Sequence, residues 1–245
     1  SNPSRRKLSM KHIKSISLMF PVYRDSKTVN TMIRKSIKVL KKTKKNFEIV
    51  IVDDGCPDNS GLVAQKFIKQ DKRVKIIFHK TNMGYGAALR TGLKNCKNQW
   101  IFQVDGDDQY DVNDLPKLIL ASNRADLVIT YRFKKNYNTL RIFISGVYNF
   151  LLRFMFGTKF KDISTGSRLI KRNLLKKIIL TTNTPFLGAE LAIRSYFRGF
   201  KVNEIGINTY PRNFGSGSSV GLKNIILTIK DMIILFIKIK ILNVK

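Results

Sequence analysis

Acid is scarce in this chain: 16 Asp and Glu stand against 46 Lys and Arg over 245 residues, a formal net charge of +30. Cysteine is nearly absent. Cys56 and Cys96 form no Cys-x-x-Cys, which excludes a disulfide framework and fits a reducing cytoplasm. With 15 Gly, 6 Pro and 43% hydrophobic residues, the composition also excludes a disordered chain. No apolar run reaches the ~18–20 uninterrupted residues of a membrane-spanning helix. The basic stretch holding Arg5, Arg6, Lys7, Lys11 and Lys14 leads into a short apolar run that stops at Pro21, a strand rather than a signal peptide. No internal repeat or low-complexity linker interrupts a length that suits one α/β domain with at most a small appendage. So large a positive excess calls for an anionic partner (nucleic acid, an anionic membrane face or a phosphorylated substrate), or it reflects a Lys- and Ile-rich bias.

What the chain does have is alternation. Apolar runs rich in Ile, Val and Phe cover 15–20, 48–52, 74–78, 100–104 and 126–130, and helix-length segments cover 28–41, 60–70, 84–95 and 113–121. Asp58, Asn59 or Ser60 would cap the second of these helices and Asn113 the fourth. Strands alternating with helices predict βαβ units and a mostly parallel sheet, whose ligands bind beyond the carboxyl ends of the strands. The few acids gather there: Asp25 after the first run, Asp53 and Asp54 after the second, Asp105 and Asp107 after the fourth. In Asp105-Gly106-Asp107-Asp108-Gln109, an extended chain would turn Asp105, Asp107 and Gln109 to one side and Asp108 to the other. Carboxylates so crowded repel one another, and a hard cation, Mg²⁺ or Mn²⁺, relieves that cost. A solvated acidic turn is the plain alternative.

The second half differs. Residues 141–156 and 222–245 are apolar, basic and amphipathic, suited either to a membrane interface or to covering the sheet, with the tail favouring the membrane. Three parts result: a basic N-terminal arm (1–14), a catalytic domain (15–221) that includes the candidate interface helix 141–156, and a basic amphipathic membrane-associating segment (222–245).

In order along the chain, these segments resemble the family 2 glycosyltransferases of GT-A fold, in particular the dolichyl- or polyprenyl-phosphate sugar transferases. Pro21-Val22-Tyr23-Arg24-Asp25 is similar to the family's P-x-Y-N-E, with Arg24 for Asn and Asp25 for Glu. Val52-Asp53-Asp54-Gly55-Cys56-Pro57-Asp58 is similar to V-D-D-G-S-x-D, and Asp105 to Gln109 to D-A-D-L-Q. Asn82-Met83-Gly84 with Ala88 and Gly92 resembles the N-x-G…A…G start of a helix, although a tight turn explains Gly84 as well. Arg132, Arg141, Ser145, Asn149, Asp162, Gly166, Glu190, Glu204 and Arg212-Asn213-Phe214-Gly215 continue the match. Departures fall at Tyr131 and in the stretch 215–219.

The resemblance implies an α/β GT-A fold with a mostly parallel sheet and an enzyme that moves a hexose, with inversion, from a nucleotide-diphosphate sugar (GDP- or UDP-linked) to a polyprenyl phosphate. It implies a peripheral position on the cytoplasmic membrane face and contact with anionic lipid rather than nucleic acid. Pro21, Tyr23, Asp25, Asp53 and Asp105 would bind the nucleotide sugar, with Asp54 either beside them or capping a turn. Asp105, Asp107 and Gln109 would hold the divalent cation. Arg132, Arg141, Ser145 and Arg212 would hold the acceptor phosphate, since a planar guanidinium matches a phosphate bidentately. Asp107, Asp162 and Arg132 would be catalytic, although Asp162 would equally pair with an arginine of the clamp, and Glu190 likewise. Residues 216–219 resemble a loop able to close over the site. His12 and His79 read as incidental. Three rivals remain at this stage: a family 2 enzyme acting on a glycan or lipid-linked saccharide hydroxyl, a basic nucleic-acid-binding protein, and a non-catalytic membrane scaffold.

Overall fold

The computed structural model describes residues 12–133, 139–211 and 221–243, without the side chains of Leu140, Arg141 and Leu222. Its elements are β1 (Ser15–Val22), α1 (Val29–Thr43), β2 (Asn46–Asp53), α2 (Ser60–Gln70), β3 (Val74–Phe78), α3 (Tyr85–Asn95), β4 (Trp100–Gln103), α4 (Leu115–Ala121), β5 (Leu127–Arg132), α5 (Thr139–Phe156), β6 (Arg168–Lys171), the single-turn α6 (Arg172–Leu175), α7 (Leu187–Phe197), β7 (Val202–Ile207) and α8 (Leu222–Phe236).

The first strands are apolar throughout because both their faces are covered. Leu18 and Phe20 of β1 and Ile49 and Ile51 of β2 point into one buried layer with Met32 and Ile33 of α1. Met19 and Val50, one residue out of step, point into the opposite layer with Leu89 of α3, Ala192 of α7 and Met232 of α8. The seven strands lie in the order β3-β2-β1-β4-β6-β5-β7. All neighbouring pairs are parallel except β4–β6 and β5–β6. The expected mostly parallel α/β sheet is present, and β6 is the antiparallel strand the sequence did not announce.

Inside the sheet, Glu48 ties three segments together by accepting from the Ser17 hydroxyl (2.7 Å), the Lys97 N–H (2.6 Å) and Lys75 Nζ (2.6 Å). Burial pushes its carboxyl up, but these donors outweigh burial and hold it below the ordinary glutamate value.

Of the expected caps, the one at Asn113 is displaced. Asp111, not Asn113, caps the 3₁₀ turn that leads into α4, by accepting from the Asn113 N–H. Asn59 occupies the N-cap of α2 in a left-handed conformation without a side-chain cap, while Asp58 accepts from the Ser60 N–H and hydroxyl. The chain ends of interest also pack. In α5, Leu152 and Phe156 are buried, and Met232 and Leu235 of α8 and Ile239 of the following π-turn belong to the same core layer. Each helix nevertheless leaves an apolar outer face, including Phe150 and Phe154 on α5 and Ile226 and Ile233 on α8. Among the described residues, no helix is long and apolar enough to cross a membrane.

Candidate functional site

A cavity of about 620 Å³ opens beyond the carboxyl ends of β1 and β4. Its walls bring together Pro21, Tyr23, Asp25, Asp105 and Asp107, as the sequence predicted, and add Tyr85 at the start of α3. Close backbone approach makes room for this arrangement. A side chain at Gly106 would strike the Pro21 carbonyl, and one at Gly86 the backbone of Asn183 and Thr184.

Asp105 is a partly buried acid on the cavity wall. Tyr85 donates its hydroxyl to it. Burial, then the neighbouring charge of Asp107, then that of Asp25 push its carboxyl up to about 7, against the opposing pull of the Tyr85 hydrogen bond and Arg168. Asp107 accepts from the Gln109 N–H at 3.1 Å. The chain does not stay extended here, because Asp108 takes a left-handed φ of 59° and its carboxylate pairs with Lys35 at 2.7 Å. That turn carries Gln109 off the cavity wall, and its amide reaches toward the Tyr210 carbonyl instead. Asp105 and Asp107 therefore come together and Gln109 stands apart. Among the described residues no group of three or more His, Cys, Asp or Glu is set to hold a metal. A pair of crowded hard oxygen donors still fits Mg²⁺ or Mn²⁺, since such ions are bound through one or two carboxylates plus substrate phosphate oxygens.

Asp53 and Asp54 separate in role. Asp53 accepts from the backbone N–H groups of Cys56 (2.7 Å) and Gly61 (2.7 Å) and lies off the cavity wall. Asp54 lines the cavity while accepting from the N–H groups of Met83 and Gly84, both at 2.9 Å, so it fixes the turn that enters α3. Gly84 holds a φ of 93°, which requires glycine. His79 is not incidental, for its buried ring bridges Asp54 (2.7 Å) and Thr91 (2.9 Å). His12 also has a partner, the Ser122 hydroxyl at 2.9 Å.

A second, mainly apolar cleft of about 370 Å³ lies between α5 and α8. Arg132, Ser145, Ser164, Asn224 and Thr228 are among its polar residues, and Phe143, Leu151, Ile229 and Met232 among its apolar ones. Arg132 Nε donates to Asp162 at 2.7 Å and its terminal nitrogen to the Ser164 hydroxyl at 2.8 Å. The other oxygen of Asp162 accepts from Ser164 at 2.6 Å. Of the two roles open for Asp162, pairing with an arginine is the one the geometry displays. Arg141 lies in α5 one turn before Ser145, but its side chain is outside the described residues, as are Arg212 and the loop 216–219. The two cavities share Pro185 and Asn224 as common wall.

Several contributors lie outside the strand-end motifs. Glu190 is fully buried and accepts from the N–H and hydroxyl groups of Thr181 and Thr182 and from Arg194 Nε (2.9 Å). It thereby holds the strand of chain that runs to Asn183 and Thr184 on the cavity wall. Its i, i+4 spacing to Arg194 and its place in the family resemblance were the visible signals. Arg168, buried beside Gln103 (2.8 Å), supplies positive charge behind Asp105, and α8 contributes Lys223, Asn224 and Leu227 to the wall. Amphipathic pattern alone did not distinguish a helix that walls a site from one that meets a membrane.

With that geometry in hand, the comparisons are specific. The model of glycosyl transferase family 2 matches residues 17–179. Dodecaprenyl-phosphate galacturonate synthase of Rhizobium johnstonii is 22% identical over 223 residues, 89% of this chain and 65% of that protein. Undecaprenyl-phosphate 4-deoxy-4-formamido-L-arabinose transferase of Pseudomonas savastanoi pv. phaseolicola is 27% identical over 170 residues, 68% of this chain and 50% of that protein. The chain thus spans half to just under two thirds of the length of these two relatives. Glucosyl-3-phosphoglycerate synthase from Mycobacterium tuberculosis, solved with Mn²⁺, uridine diphosphate and phosphoglyceric acid, superposes with a TM-score of 0.70 at 15% identity, covering 94% of this chain and 79% of that one. At that identity the likeness is one of fold, the α/β arrangement of the GT-A type.

Proposed function

This chain belongs to glycosyl transferase family 2, and from that premise we propose that it moves a hexose from a nucleotide-diphosphate sugar to a polyprenyl phosphate. The observation that carries this reading is the junction of its two cavities. A carboxylate-lined cavity suited to a nucleotide diphosphate shares Pro185 and Asn224 with an apolar cleft that holds a buried arginine. An isoprenoid chain fits such a cleft and a phosphate fits Arg132. Relatives named for dodecaprenyl- and undecaprenyl-phosphate substrates support the same acceptor.

In this mechanism Pro21, Tyr23 and Asp25 border the nucleoside, and Asp105 with Asp107 would hold a divalent cation. Such a cation, when bound, neutralises charge on the departing diphosphate. Arg132, kept in place by Asp162 and Ser164, presents the acceptor phosphate to the anomeric carbon, with Ser145 beside it and Arg141 and Arg212 as further members of the clamp. A phosphate oxygen forms the new bond to that carbon as the sugar's bond to the diphosphate breaks, its electrons leaving with the nucleoside diphosphate. Because the acceptor is already ionised, no proton need be removed. A hydroxyl acceptor would need a general base. Asp162 is committed to Arg132 and Ser164, which counts against that rival. The outer apolar faces of α5 and α8 would rest on an anionic membrane surface, close to where a lipid carrier is found.

The test is incubation of the chain with polyprenyl phosphate, Mn²⁺ or Mg²⁺ and a panel of labelled UDP- and GDP-sugars. We expect label in the organic phase as a sugar on a single lipid phosphate. Transfer to saccharide acceptors with the lipid phosphate ignored would replace this reading with the hydroxyl-acceptor one.

A further inference from the structure

We propose that Lys223, near the start of α8, is a donor-binding residue whose ammonium contacts the diphosphate of the nucleotide sugar. This rests on the donor reading above and extends the site to an element that no sequence motif places there. Charge balance favours a cation beyond the divalent ion. Two carboxylates, a divalent ion and the donor's two ionised phosphates together still carry a net negative charge. Asp25 and Asp54 add further negative charge to the same walls.

Among the described residues lining this cavity, only Arg24 and Lys223 are cationic. Arg24 follows Tyr23 and lies over its ring at 5.4 Å, on the nucleoside side. Lys223 comes from α8, is exposed, and has no ion pair or hydrogen bond among the described residues. The helix that carries it is held two turns and more further along, where Met232 and Leu235 are buried and the Thr184 hydroxyl donates to Asp231 at 2.7 Å. A long side chain on a fixed helix is thus free to meet an anion in the cavity. Lys223 does not line the apolar cleft, whereas its neighbour Asn224 lines both cavities, which assigns Lys223 to the donor rather than to the acceptor phosphate.

Calorimetric titration of the full chain with uridine, UMP and UDP, and with the guanosine series, in the presence of Mn²⁺ tests the assignment. Lys223→Ala should weaken diphosphate binding about tenfold, the size expected for one charge-assisted contact. Nucleoside affinity and thermal transition should be unchanged, and Lys223→Arg should restore most of the loss. Equal UDP or GDP affinity in wild type and Lys223→Ala would overturn the assignment, as would a rise confined to the KM for polyprenyl phosphate. A wild-type chain that bound neither UDP nor GDP would remove the donor reading itself, and this inference with it.

Discussion

Asp53 and Asp107 occupy similar strand-end positions but spend their oxygens differently. Asp53 satisfies two backbone N–H groups, whereas Asp107 faces the cavity beside Asp105. Asp53→Ala should therefore lower stability by about 2 kcal/mol or more, because it leaves donors unpaired within the fold. Asp107→Ala should melt near wild type yet lose at least ~100-fold in turnover, since outer-shell partners of a metal alone are worth about 10–100-fold. Thermal melts set beside rates with Mg²⁺ and Mn²⁺ decide it, and undiminished turnover in Asp107→Ala would end its assignment to a metal. Asp105 and Asp107 were legible in the sequence because strand-end acids two residues apart are rare and costly to crowd. Gln109 sits off the cavity wall because Asp108 adopts a left-handed backbone, paired with Lys35, that the extended-chain premise did not allow. Asp53 was expected at the nucleotide sugar and Asp54 either there or capping a turn, but the structure puts Asp54 on the cavity wall and Asp53 off it, because that difference depends on which loop folds back onto each carboxylate.

At the scale of elements, the parallel β1–β4 frame was readable from runs of buried Ile, Val and Phe, with strand ends shifted by a few residues at most. β6 was not, because four residues beginning with a buried Arg168 give no periodic signal. The greater ambiguity concerned α8, whose sequence suits both a core and a membrane. The structure gives it a buried face and an exposed one: Leu235 is buried, while Ile229 is exposed and lines the apolar cleft. Leu235→Ala should cost about 2–5 kcal/mol, as other large-to-small core substitutions do. Ile229→Asp should change stability by no more than ~0.5 kcal/mol, yet it should raise the KM for polyprenyl phosphate without altering donor affinity. Denaturant melts combined with acceptor titrations separate the two effects. An unchanged acceptor KM in Ile229→Asp would mean that the cleft does not receive the lipid.

For the whole molecule, the +30 charge and the apolar outer faces of α5 and α8 make a joint demand. Phe150 and Phe154 stack at 6.3 Å on the exposed side of α5 and line neither cavity, so catalysis gives no account of their exposure. An exposed aromatic pair on a chain of strong positive charge matches the two-signal combination that holds a protein at an anionic bilayer, because either contribution alone gives only weak, reversible attachment. The electrostatic part is screenable: the Debye length falls from ~10 Å at 0.1 M to ~3 Å at 1 M salt. Co-sedimentation with phosphatidylglycerol-containing vesicles should therefore be strong at low salt, fall steeply on raising salt, and be weak on pure phosphatidylcholine. The double substitution Phe150→Ser with Phe154→Ser should reduce binding even at low salt, while transfer to a short, water-soluble isoprenoid phosphate in detergent stays near wild type. Binding that ignores both salt and lipid charge would exclude the basic surface as a driver. Full retention in the double variant would exclude the outer face of α5 as the contact.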